Sequence, residues 1–271
     1  MAKGWQDVTS REYKVMLTPS HFDGEDDEAF DTVERFWAEV RAVLGEMEIP
    51  TTGDFSTVKA RRLIRFFDTS EHTLNSDAYI VREREDIDTG ERQVTLKFRH
   101  PDRYVAADRT MEPADSRGAK TKFEEDVKPP FISVFSFSTT APLASGHALA
   151  QMQDVADLFP GLTDALKDLP QTAPLVLVSD FVAREVVLEG GCILLGKRDI
   201  EAECAVVLWY DEGEADTTPV VVEFSFKYGD DAEDYRGSVA RDAYDVLDAL
   251  QTRLTTWVDP NPRTKTSFVY G

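Results

Sequence analysis

Charged residues recur at every second position in several stretches of this sequence. Thr95, Lys97 and Arg99 alternate with Val94, Leu96 and Phe98, and Lys122, Glu124 and Asp126 repeat the spacing. Glu12 and Lys14, Arg82 and Arg84, and Glu223, Ser225 and Lys227 follow the same rule. Successive side chains of a strand point to opposite faces, so each set shares one face. A face that combines ammonium, guanidinium and carboxylate groups suits an anionic substrate bridged by a divalent metal. The cations neutralise phosphates directly, and the carboxylates hold a metal that shares phosphate oxygens. The same alternation also fits a plain sheet with one face on a core and one in water. Both signs of charge occur on the same faces, and many apolar strand faces need covering. If amphipathic helices cover those from outside, the charged faces converge on the interior of a closed barrel.

The elements that would position these residues can be read along the chain. Residues 10–17 form a first strand, ended by Thr18-Pro19-Ser20. An acidic opening at 23–27 leads into a helix with Phe30, Val33, Trp37, Val40 and Leu44 on one stripe. Gly45 or the Glu48-Ile49-Pro50 segment stops it. From 58 to 127 the period is two, with turns at Asp88-Thr89-Gly90 and His100-Pro101-Asp102, which predicts several antiparallel strands. Pro129-Pro130 closes this half, and Leu149, Met152, Val155, Leu158 and Phe159 indicate short helices. Strands return at 175–188, 192–195, 202–210 and 219–228. A helix at about 232–257 starts in the acidic run 230–234, with Val239, Ala243, Val246, Leu250, Leu254 and Trp257 on one side. The chain thus reads as one α+β domain over residues 1–271.

The charge balance is uneven. Among 271 residues, 30 are Lys or Arg and 51 are Asp or Glu, a net charge of −21. Residues 59–128 hold fifteen basic and fifteen acidic residues, so the whole surplus lies elsewhere. An acidic chain of this kind argues against nucleic-acid or anionic-membrane binding, which need a positive field. Met1 to Ser10 shows no apolar signal segment, and no apolar run reaches the ~18–20 residues of a membrane span. With Cys192 and Cys204 expected as free thiols, a cytoplasmic location is expected. His21, His72, His100 and His147 are scattered without ligand spacing, and no phosphate loop or dinucleotide fingerprint is present. Arg61 and Arg62 could grip phosphate at a tunnel mouth, but a solvated strand end is the expectation for them.

Phe67-Asp68-Thr69, Leu74, Val81-Arg82-Glu83-Arg84 and Thr95-Leu96-Lys97, in this order, resemble the middle signature of the CYTH superfamily, the triphosphate tunnel metalloenzymes. Glu12-x-Lys14 is similar to the end of that family's Glu-x-Glu-x-Lys strand, and Lys122-x-Glu124-x-Asp126 resembles its basic-acidic-acidic strand. The resemblance implies an eight-stranded antiparallel tunnel with helices packed outside. It implies phosphate-gripping roles for Lys14, Arg82, Arg84, Lys97, Arg99, Lys122 and Arg184, with Arg65 added to them. Lys14 and Lys97 would be the catalytic pair. Mg²⁺ or Mn²⁺ would be held by Glu12, Glu124, Asp126 and Glu223. Two positions depart from the pattern: Ser10 stands where the family's first Glu belongs, and Ser225 where an acid is usual. The activity implied is metal-dependent hydrolysis of a triphosphate, inorganic or organic. The alternatives are adenylate cyclisation, and a non-catalytic polyphosphate- or nucleotide-binding module. Trp5, Trp209 and Tyr210 would be available to an organic substrate such as thiamine triphosphate. The expected partner is a small phosphorylated molecule, with no expectation on oligomeric state beyond a conceivable dimer.

Overall fold

Nine strands close into a barrel, and the hydrophobic side chains lie mainly on its outer face. The computed structural model describes residues 6–24, 26–214, 217–229, 235–260 and 263–271. Trp5 and the acidic run 230–234 lie outside the described residues. In chain order come β1 (Ser10–Leu17), α1 (Asp26–Glu46), β2 (Thr51–Thr52), β3 (Thr57–Asp68), α2 (Thr73–Ser76), β4 (Tyr79–Asp86) and β5 (Arg92–His100). Next are α3 (Arg103–Ala107), β6 (Lys120–Lys128), β7 (Ile132–Leu143), α4 (Met152–Ala156) and α5 (Gly161–Ala165). The chain ends with β8 (Val176–Leu195), β9 (Ile200–Asp211), β10 (Val221–Gly229), α6 (Gly237–Arg253) and α7 (Lys265–Tyr270).

Around the ring the order is β8-β3-β4-β5-β7-β6-β1-β10-β9, and β9 returns to β8. The two-residue β2 adds to the outside of β8 at Cys192 and Ile193. β1 runs parallel to β6, whereas its other neighbour, β10, is antiparallel. The α+β barrel agrees with expectation; the count of eight strands, all antiparallel, does not. An odd number of strands cannot alternate direction around a closed ring, so nine strands require at least one parallel pair. Here it is β1–β6. The unforeseen strand is β7, and Pro129-Pro130 is the connection that turns β6 back into it. Its inward positions carry Ser136, Ser138 and Thr140 in place of charges, which hid the alternation.

Helices cover the barrel from outside. Val33, Phe36, Trp37 and Val40 of α1 join Val246 and Leu250 of α6 against Val15 of β1, Phe224 of β10 and Val206 of β9. On the opposite side Ala106, Met152, Val155 and Leu162 from α3, α4 and α5 pack on Val81, Leu96 and Phe123. Burying each such side chain contributes about 1.5–3 kcal/mol, so these two cores hold the ring closed. α6 starts at Gly237, inside the expected 232–257 span, and its expected apolar side is buried from Val239 to Leu254.

A third apolar cluster lies inside the barrel, at one end. Ile64 and Phe66 of β3, Ile80 of β4, Trp209 of β9 and Val221 of β10 meet Val269 of α7 there. Nothing in the sequence reading anticipated α7. It is anchored by Tyr270, whose hydroxyl donates to Asp68 at 3.2 Å, and by a 2.8 Å bond from Ser179 Oγ to the Val269 carbonyl.

Candidate active site

The inner face of the ring collects the alternating charges. On β4, Arg82 and Arg84 share a face with buried Ile80, while Val81 packs outside. The ladder sets Arg82 opposite Thr95 of β5, and Lys97 of β5 opposite Ser138 of β7. Ser138 is also the partner of Lys122 on β6. Across the parallel pair, Ser10 faces Glu124 and Glu12 faces Asp126. These residues and their neighbours enclose a cavity of about 700 Å³. Thirteen basic and five acidic side chains line it, so an acidic protein contains a cationic interior.

Several cations are tied to acids. Lys14 Nζ lies 2.8 Å from Asp126 Oδ1 and 2.9 Å from Glu12 Oε2. Lys97 reaches Asp126 Oδ2 at 3.3 Å, and Ser136 Oγ donates to the same oxygen at 2.7 Å. Arg62 meets Glu185 at 3.3 Å, while Lys265 from α7 meets Glu223 at 2.9 Å and lies over the Trp209 ring. Two cations differ: Nε of Arg82 and Nε of Arg84 are buried with no hydrogen-bond partner among the described residues.

Burial and crowding show in the acidities. Burial, reinforced by Arg84, lowers Arg82 to about 9. Burial also lowers Lys97 to about 8, with Arg99 and Lys14 adding repulsion against the pull of Asp126. For Lys14, burial opposes the charge, but Asp126, Glu12 and Glu223 outweigh it and raise the ammonium. Burial works against ionised Glu185 too, yet Arg84, Lys265 and a bond from Trp209 Nε1 hold it at about 2. The pattern is an interior short of counter-anions around Arg82, Arg84 and Lys97, and well supplied around Lys14.

Of the sequence-derived residues, Lys14, Arg82, Arg84, Lys97, Arg99, Lys122, Glu12, Glu124, Asp126 and Glu223 all line this one cavity. Arg65 and Arg184 do not. Arg65 is on the outer face of β3, bonded to Glu83 at 3.1 Å and Glu85 at 2.7 Å. Arg184 lies outside with its guanidinium 4.2 Å from the Tyr210 ring centroid. A shift of one residue moves a strand position to the other face. Arg184 shares parity with Val186 and Leu188 of the outer core, so Glu185 is the inward residue. By the same rule Arg62 faces the cavity with Ile64 and Phe66 and is not a solvated strand end. Phe67-Asp68-Thr69 has a structural part. Buried Asp68 accepts from the backbone N–H groups of Thr69, Leu74 and Asn75, which organises α2.

The resemblance implies a divalent metal on Glu12, Glu124, Asp126 and Glu223. Glu12 and Asp126 are opposite each other, but the Lys14 ammonium bridges them. Glu124 accepts from Ser10 Oγ at 2.9 Å, and Glu223 is four residues along β10 from Lys227, the ladder partner of Glu12. Among the described residues no three acidic, histidine or cysteine side chains converge. A hard cation needs several oxygens directed at one point. The residues as arranged do not fit one.

No protein-family model and no curated protein matches the sequence. Solved structures give alignments along nearly the whole chain. The Hippeastrum protein HpAC1, described as having a dominant triphosphatase activity, aligns at 11% identity over 97% of this chain and 95% of its own, with a TM-score of 0.48. A candidate adenylate cyclase from Bacillus halodurans aligns at 12% identity over 98% of each chain, TM-score 0.43. One from Vibrio parahaemolyticus aligns at 11% identity over 98% of this chain and 100% of its own, TM-score 0.36. Similarity at that level leaves the weight on the chain's own residues. In motif order, and in a closed barrel lined by alternating cations and carboxylates, the chain resembles a divergent member of the CYTH superfamily.

Proposed function

We propose that the barrel binds a triphosphate and hydrolyses it. Arg82 and Arg84 carry the reading: two guanidinium groups turned into a basic cavity, each with a buried, unpartnered Nε. A buried donor left without an acceptor costs about 1–3 kcal/mol, and more when the group is charged. Phosphate oxygens, which offer acceptors in pairs, are the partners a planar guanidinium fork fits best. The cavity is the size of a small molecule. The acidic exterior repels large polyanions, so the proposed ligand is a small phosphorylated molecule.

Phosphoryl transfer needs positioning and charge stabilisation more than a covalent nucleophile. Arg82, Arg84 and Arg99 hold the phosphate chain, and Lys14 keeps its ammonium between Glu12 and Asp126. Lys97 Nζ, with its lowered affinity for the proton, gives that proton to the bridging oxygen as the P–O bond breaks. The attacking water forms the new P–O bond and returns a proton to Lys97. Phosphate release from tripolyphosphate, compared between wild type and Lys97→Ala/Arg99→Ala, tests this. A loss of at least about a hundredfold is expected, the scale of removing an oxyanion-stabilising donor. Release by wild type no faster than by the double variant overturns the reading as an enzyme. The ammonium clamps on the carboxylates favour one other reading, a triphosphate-binding module; saturable binding without turnover would select it.

A further inference from the structure

The carboxylates that face the cavity are already provided with partners. Lys14 Nζ bonds Glu12 and Asp126, the two acids opposed across β1 and β6. Both oxygens of Asp126 are taken, one by Lys14 and the other by Ser136 and Lys97. Lys265, brought from α7, bonds Glu223, and its side chain is only 20% exposed. Ser10 donates to Glu124 where the resemblance would place another acid. A divalent ion at Glu12, Asp126 or Glu223 would have to displace an ammonium or stand beside one. Like charges a few Å apart in a partly dry cavity repel by several kcal/mol, about 4 at an effective dielectric of 20. The lining also leaves little for a metal to add. Its thirteen cations against five acids already exceed what the carboxylates cancel.

We infer that the ammonium groups of Lys14 and Lys265 are the resident counter-ions of the tunnel's carboxylates, and that a triphosphate enters as the free anion without a bridging divalent metal. This rests on the reading of the cavity as a triphosphate site. Isothermal titration of the full chain with tripolyphosphate in EDTA, repeated with Mg²⁺, and with Mn²⁺ alone, tests it. Binding should persist in EDTA, and Mg²⁺ should weaken it by about threefold or more by sequestering free anion from the linked equilibrium. Mn²⁺ alone should give no saturable heat with wild type. In Lys14→Met, Glu12 and Asp126 lose their shared cation, and a Mn²⁺ site should appear. The wild-type titrations decide the matter whether or not that variant folds. Binding seen only with Mg²⁺, or a saturable Mn²⁺ site in wild type, overturns the inference. Tripolyphosphate that binds in neither buffer overturns the triphosphate reading beneath it.

Discussion

Arg82→Met should stabilise the ligand-free protein while weakening its response to triphosphate. Burial and neighbouring Arg84 take Arg82 from 12.5 to about 9, and at about 1.36 kcal/mol per pH unit this caps its penalty near 5 kcal/mol. Water at the cavity wall relieves much of that, because effective interior dielectrics are nearer 20 than 4; about 1–2 kcal/mol should remain. Methionine keeps the apolar stem and drops the charge. At about 2–4 °C per kcal/mol for a chain of this size, the melting midpoint should rise by roughly 2–8 °C. The sign follows from proton binding. Below about 9 the guanidinium is charged in both states and the penalty is complete. Above that the unfolded chain binds more protons, so this group's contribution to stability rises with pH. Tripolyphosphate at a hundredfold excess over Kd should stabilise wild type by about 2.7 kcal/mol, and Arg82→Met should forfeit about half of this, a tenfold loss of affinity. Scanning fluorimetry of both proteins, with and without tripolyphosphate, reads all four midpoints. A variant that melts lower than wild type and keeps the full ligand shift refutes the reasoning.

Arg65→Ala should leave turnover of tripolyphosphate within about twofold, because Arg65 pairs with Glu83 and Glu85 outside the barrel and Arg92 still holds the buried Glu83 carboxylate. A tenfold loss in steady-state phosphate release would mean the face is wrongly assigned. Turnover should fall as pH rises through about 8, where Lys97 loses its proton, and Lys97→Arg should move that falling limb upward. A pH–rate profile with no limb near there removes Lys97 as the proton source.

Much of the inner face was legible because it obeys a period of two without interruption. Val94 to Arg99 could be assigned from the Val, Leu and Phe that must face the outer core. Arg65 and Arg184 depart from the pattern. Arg184 carries the right chemistry, but Val186 and Leu188 share its face, and they belong outside. On β3 a register shift between Arg65 and Phe67 obscures parity near the turn. β7 was hidden for a different reason: hydroxyl side chains satisfy an inward position as well as charges do, yet give no polarity contrast. The contribution of α7 could not be read at all. Lys265 reaches Glu223 only because Tyr270 finds Asp68 and Val269 finds the interior apolar cluster, contacts that span most of the sequence.

The parallel seam has a bearing on how the molecule assembles. β3, β4 and β5 form ladders between close neighbours in sequence, as do β6 with β7 and β9 with β10. β1 has no such neighbour. Its bond from Ser10 to Glu124 spans 114 residues, and that from Arg11 to Tyr228 spans 217. Contacts so distant carry the largest loop-closure entropy and form slowly. Until β1 inserts, β6 and β10 present two open edges, the feature that invites association with other chains. Glu12 and Lys14 arrive on that same strand. Ring closure and completion of the cavity are therefore one event, so a chain with a functional interior is also one that has hidden its sticky edges.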